Sequence, residues 1–199
     1  MREDINKQLQ EPDDNTDPFV FTDLSEEEIR EYAKYLDKDT WGSISCYQTL
    51  SIDFIREFKK KLEWGPISAH QELSEDFIIE FKDYVNWVYI YEFQTITEKV
   101  LDRCFEYIPS WSELAKYQKL SEEIIEKYWK FFGNNSNAID HLLTRYTFSE
   151  KFLKKHKKDI CNSSNISNVL KYQKISSKFR KELLRREKRM LLKFMVVQV

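Results

Sequence analysis

Apolar residues in this chain keep to spacings of three and four, and they do so in a phrase that repeats. Residues 64–81 read W-G-P-I-S-A-H-Q-E-L-S-E-D-F-I-I-E-F, which reduces to W-x-x-I-x-x-x-Q-x-L-S-x-x-F-I-x-x-F. Further copies begin at Trp41, Trp87 and Trp111. Taking the apolar residue before each Ser or Thr as an anchor gives Leu24, Leu50, Leu73, Ile96, Leu120, Phe148 and Ile175. These anchors lie 26, 23, 23, 24, 28 and 27 residues apart. A regular interval of this size marks stacked units that are too small to bury their own apolar faces alone. It is shorter than the ~33 to 34 residues of ankyrin or tetratricopeptide units, and it leaves room for two short helices per unit.

The first helix of each unit is predicted to start at the hydroxyl residue after the anchor: Ser25, Ser51, Ser74, Thr97, Ser121, Ser149 and Ser176. A hydroxyl there accepts from the free N–H groups of the first turn. An acidic residue follows in most units (Glu26, Asp53, Glu75, Glu98, Glu122, Glu150), which suits the positive end of the helix. Phe54, Ile55 and Phe58 then share one face, as do Phe77, Ile78 and Phe81. The second helix starts near each Trp, with Trp64, Ile67 and Gln71 on one face. Residues 85–93 are rich in β-formers, but their register in the repeat predicts helix.

The pattern changes toward both ends. Residues 1–18 are polar, acidic and aperiodic, and read as a disordered tail. Phe19, Val20 and Phe21 then form an apolar patch suited to lie over the first repeat. Ile139 and Ile166 stand at the Trp position in two later units, and both carry Asn/Ser-rich inserts (133–137 and 162–168) that predict surface loops. Residues 176–194 predict one longer helix with an apolar stripe of Phe179, Leu183, Leu184, Leu191 and Phe194. The expected fold is therefore all-α: a solenoid-like stack of short two-helix repeats over residues 19–175. A basic amphipathic helix and apolar tail over 176–199 pack on it or extend it.

Composition agrees with this reading. Only 3 Gly and 4 Pro in 199 residues leave few breakers, which favours helix. No apolar run is long enough to span a membrane, and the polar N-terminus lacks the apolar centre of a signal peptide. Cys46, Cys104 and Cys161 are odd in number and far apart, which predicts reduced thiols and an intracellular location.

Charge adds a polarity that the net value of −2 conceals: residues 150–199 carry 15 Lys and Arg against 4 Asp and Glu. The rest of the chain holds 17 against 30, so +11 at one end faces −13 in the remainder. Such a basic segment fits phosphates of nucleic acid or an acidic protein surface.

The repeated phrase resembles the tandem repeat of uncharacterised proteins of large DNA viruses of amoebae, the Marseillevirus-like group among them. The resemblance covers residues 24–180, and Trp41, Trp64, Trp87 and Trp111 carry it. It implies a viral protein made in a host cell, in cytoplasm or nucleus, and packaged in the virion. It implies no catalytic residue.

Residue by residue, the candidates divide into core and surface. The recurring Gln48, Gln71, Gln94, Gln118 and Gln173 suit the satisfaction of backbone groups where the chain passes between units. The alternative is a ladder that reads a peptide or bases. The Trp ladder is expected in the core and not as a stacking platform. His70, His141 and His156 lack ligand spacing, and no glycine-rich phosphate loop or nucleophile elbow occurs. No cofactor, metal or small-molecule substrate is therefore expected. The expected function is a non-enzymatic scaffold or adaptor that binds a protein or a second copy of itself, as a homodimer. Its contact surface would be Phe179, Arg180, Leu183, Leu184, Arg185, Arg186, Arg189, Leu191 and Phe194. The alternative is nucleic-acid binding through the same basic region.

Overall fold

The computed structural model describes residues 23–161 and 165–197, with the side chains of Leu191 and of residues 193–197 outside the description. The predicted tail and the Phe19–Phe21 patch also lie outside it. Every described element is helical, and no strand occurs among the described residues. The repeats appear as helix pairs: α1 (Glu26–Tyr32) with α2 (Lys38–Tyr47), α3 (Ile52–Phe58) with α4 (Trp64–His70), and α5 (Glu75–Glu80) with α6 (Trp87–Phe93). Next comes α7 (Glu98–Cys104), which a short 3₁₀ turn (Phe105–Tyr107) follows, and then α8 (Trp111–Tyr117). The later repeats hold α9 (Glu122–Lys127), α10 (Trp129–Phe132) and α11 (Ser136–Arg145), then α12 (Glu150–Lys155), α13 (Lys157–Ile160) and α14 (Asn165–Tyr172). The chain closes with α15 (Ser177–Val197), a helix of 21 residues.

These helices group into two compact units, up to Ile108 and from Pro109 onward. The division falls inside the fourth repeat, which the sequence pattern passes through without a break. In the first unit α2, α4 and α6 pack side by side; in the second α8, α11 and α14 do the same. Each forms a helical repeat stack.

The predicted helix starts are in place. Ser25, Ser51, Ser74, Thr97, Ser121 and Ser149 each accept from the N–H three residues on. Ser176 does the same for Phe179. The first helices have only six or seven residues, too short to persist in water on their own, so burial holds them. Ile29, Ile44, Phe54, Ile67, Ile78, Ile90, Val100 and Leu101 are fully or almost fully buried in the first unit. Leu114, Ile125, Phe132, Ile139, Ile166 and Leu183 are their counterparts in the second.

The glutamine amides join one repeat to the next. Gln71 Oε1 accepts from Leu50 N at 3.2 Å while its Nε2 donates to Gln48 O at 2.8 Å. Gln94 repeats this toward Leu73 N and Gln71 O, at 3.2 and 2.8 Å. Gln48 accepts from Leu24 N, and Gln173 from Phe148 N while donating to Tyr146 O and Leu143 O. Tyr146 stands where a Gln is missing, and its hydroxyl donates to the Gln118 carbonyl.

The inserts depart from the expected loops. Ser136 and Asn137 lie in α11, and residues 165–168 lie in α14. The extra residues instead form the one-turn helices α10 and α13, because Trp129, Phe132 and Ile160 give those turns something to bury. Gly133 permits the tight exit from α10, since a Cβ there would lie 2.6 Å from the Trp129 indole nitrogen. Residues 162–164 lie outside the described residues.

Tryptophan geometry shows what a longer turn costs. Trp64 and Trp87 donate their indole N–H to the carbonyls of Lys59 and Lys82. In the first repeat the turn is three residues longer, as Tyr32 to Trp41 spans 9 positions against 6 from Phe58 to Trp64. The Trp41 indole N–H is buried and finds no partner.

Two stability tests follow from these contacts. Gln71→Ala leaves a buried N–H and a buried C=O unpaired, at ~1–3 kcal/mol each. It should lower the urea midpoint far more than Glu72→Ala next to it. Trp87→Phe loses a bond that Trp41→Phe never had, so it should cost ~1 kcal/mol more. Equal losses would show that the indole donors do not matter to the stack.

Candidate interaction surfaces

The helix caps reach further than their own helices. Glu26 accepts from the N–H and hydroxyl of Ser51, the cap of the next repeat, at 2.5 and 3.0 Å. Glu122 does the same for Ser149, and Glu150 for Ser176. Glu75 accepts from the Thr97 hydroxyl at 2.7 Å. Lys154, followed by the Ser176 N–H, holds the Glu150 carboxyl down at about 2. Thr97 and then Lys99 hold Glu75 below the ordinary carboxylate range. Burial pushes the Glu126 carboxyl up, but Lys155 and His156 together bring it below its usual value.

Ion pairs cross between the first helices as well: Arg30 to Glu57, Arg56 to Glu80, and Lys99 to Glu75 and Asp76. They are largely exposed, so each contributes little to stability. The first helices thus present a charged and internally neutralised face.

The second helices of the first unit present the opposite. The positions one, two, five and six beyond each Trp point away from the core. In α2 they are Gly42, Ser43, Cys46 and Tyr47; in α4, Gly65, Pro66, Ala69 and His70; in α6, Val88, Tyr89, Glu92 and Phe93. Glu92 is the one acidic or cationic side chain on this face, in a chain of which 33% is charged. Tyr47 and Phe93 are each 56% exposed, with Val88 and Tyr89 beside Phe93 also exposed. The Tyr89 ring extends over Gly65, where a Cβ would already touch it at 3.4 Å. In the second unit the corresponding positions are polar: Asp140, His141, Thr144 and Arg145 in α11, and Ser167, Asn168, Lys171 and Tyr172 in α14.

The residues singled out from sequence divide differently. Trp41 and Trp87 are buried, and Trp64 and Trp111 are half-buried against Phe81 and Phe131. Gln48, Gln71, Gln118 and Gln173 are buried, with Gln94 half-buried. On α15, Phe179 and Leu183 are 1% and 0% exposed. They belong to the core of the second unit and not to an association surface, because α15 lies along α14 as the last member of the stack. Lys154 approaches the Phe179 ring at 5.3 Å. Leu184, Arg180, Arg185 and Arg189 are exposed, Arg186 is half-buried, and Arg180 donates to the Leu170 carbonyl. Leu191 and Phe194 lie outside the described side chains. The neutral face of α2, α4 and α6 escaped the sequence reading. Its signal was available as the lack of charge at fixed repeat positions.

Chemistry has little to work with. Among the described residues no group of His, Cys, Asp and Glu could hold a metal ion. Burial pushes the Cys104 and Cys161 thiols up, which keeps them protonated and unreactive at neutral pH. His156 is buried against Trp129, with its Nε2 2.7 Å from Glu126. No described helix is long and apolar enough to cross a membrane.

Comparison with protein-family models, curated proteins and solved structures finds no match to this chain.

The depressed carboxyls set a pH test. A folded-state value below the unfolded one stabilises the fold above the unfolded value, and that contribution is lost as pH falls through the folded value. For Glu150 this window runs from 4.5 down to about 2. Glu150→Gln should therefore be less stable than the parent at pH 7, with the gap closing across that window. A gap that persists unchanged at pH 2 would deny the Glu150 carboxylate its capping role.

Proposed function

We propose that the chain is a non-enzymatic protein-interaction scaffold whose contact surface is the neutral face of α2, α4 and α6. One observation carries this reading: in three successive second helices the positions one, two, five and six beyond the Trp, all exposed or half-buried, hold a single acidic side chain, Glu92. Charge depletion with exposed tyrosine and phenylalanine is the composition of interface centres. A large exposed apolar patch on a charged molecule marks an interaction site. Tyr89 and Phe93 are the natural anchors, since both project from one helix and their rings lie 6.0 Å apart.

Dimerisation through α15 is not part of this proposal, because Phe179 and Leu183, the first two residues of its stripe, are already covered. The resemblance of the repeat phrase to proteins of large amoebal DNA viruses supports a viral origin and placement in the host cell or virion. It adds nothing about the partner.

The test is site-specific photocrosslinking in the cells that make the protein. A benzophenone side chain at position 93 should give a discrete protein adduct, and one at position 56, on the charged face, should not. Tyr89→Lys should remove the adduct without changing the melting temperature. Equal labelling at both positions, or none at 93, would overturn the assignment.

A further inference from the structure

The outer face of α15 has no counterpart among the other described helices. Lys178, Lys181, Arg185, Lys188 and Arg189 are all exposed. At 1.5 Å and 100° per residue they form a stripe about 16 Å long within an arc of about 100°. Among the described residues none of the five has a carboxylate within ion-pair distance. Of the two acidic residues of the helix, Glu182 borders the stripe beside Lys178 and Glu187 lies outside it. Glu182 pairs with Lys157, and Glu187 lies half-buried on the far side of the helix. The opposite face, through Phe179 and Leu183, fixes the helix to its unit, so the cations are held in place.

We propose that this stripe binds the phosphate backbone of nucleic acid without reading base sequence. Charge complementarity selects the occupant. A protein interface places charge at its rim around an aromatic or aliphatic centre, whereas this arc holds only cations from Lys178 to Arg189, with a single exposed aliphatic residue, Leu192, beyond them. Each strand of B-form DNA presents one negative charge per ~3.4 Å of axis, so a stripe of this length spans about as many phosphates of one strand as it has cations. The five side chains can therefore each face a phosphate, and the regular spacing of the backbone makes the contact independent of base sequence. This site is independent of the neutral face proposed above and stands or falls separately.

Fluorescence anisotropy of a labelled DNA duplex against the full chain tests it. Binding is expected at about 50 mM salt. With five phosphates neutralised it should weaken about 500-fold by about 200 mM. The triple variant Lys181→Glu, Arg185→Glu, Arg189→Glu should abolish binding while its circular dichroism and melting temperature stay those of the parent. A shuffled duplex should bind equally well. No binding at the lower salt, or undiminished binding by the folded triple variant, would overturn the proposal. So would labelled polyglutamate or anionic vesicles binding as tightly as DNA, which would make the partner an acidic protein or a membrane surface.

Discussion

A buried amide at the junction between repeats governs this structure. Where the chain leaves a second helix and turns toward the next first helix, it must bury a backbone N–H and a backbone C=O that no helix pairs. Leaving either unpaired costs on the order of a whole hydrogen bond with its desolvation. Glutamine offers one acceptor and one donor on a single planar group. Gln71 uses both, toward Leu50 and Gln48. Each amide therefore fixes the register of its own repeat against the preceding one. Core side chains can then recur at constant positions because the backbone that carries them recurs. Tyr146 tests the logic from within: its hydroxyl keeps the donor half of the role, toward the Gln118 carbonyl.

A second, weaker ladder runs along the first helices. A carboxylate in one first turn accepts from the cap residue of the following repeat, as Glu26 does from Ser51. The same residue thus serves its own helix dipole and its neighbour's N-terminus. Where Ile52 takes this position the link to Ser74 is missing, and the Arg56–Glu80 ion pair, equivalent to Arg30–Glu57 one repeat earlier, still joins the two repeats. The junction amide is common to both cases, so it is the stronger determinant of stacking.

Much of this was legible in the sequence. The recurring Trp, Gln, Leu-Ser and Phe-Ile positions specify two capped helices per repeat, and the helices begin at those residues. The role of the glutamines follows from counting backbone groups at a turn. Three features were not legible. A carboxylate in a first turn looks the same whether it caps its own helix or the next one. The inserts near Gly133 and Asn165 are rich in Asn and Ser, and only the packing of Trp129 and Ile160 makes their neighbours helical. The stripe on α15 is amphipathic by period, yet periodicity shows which residues share a face and not what covers them. Phe179 and Leu183 are covered by the same chain.

Repetition also separates what the fold needs from what it leaves open. The Trp, Ile and Gln positions serve core and junction, and where Ile139, Ile166 or Tyr146 replaces the usual residue it is still one that can be buried or can pair the backbone. The positions one, two, five and six beyond each Trp carry no such duty, and α11 and α14 fill them with Asp140, Arg145, Asn168 and Lys171. That polar choice shows the stack tolerates charge there. In α2, α4 and α6 the same positions hold Gly42, Ser43, Pro66, Ala69, Val88, Tyr89 and Phe93, at some cost in solubility. Packing accounts for part of the difference, since the Tyr89 ring lies over Gly65, but it does not account for the exposed Tyr47, Val88 and Phe93. Those exposed side chains are what the proposed contact would use, and the cations of α15 stand in the same relation to the fold. Burying Phe179 and Leu183 satisfies that helix, and nothing inside the fold asks its outer face to line up five cations.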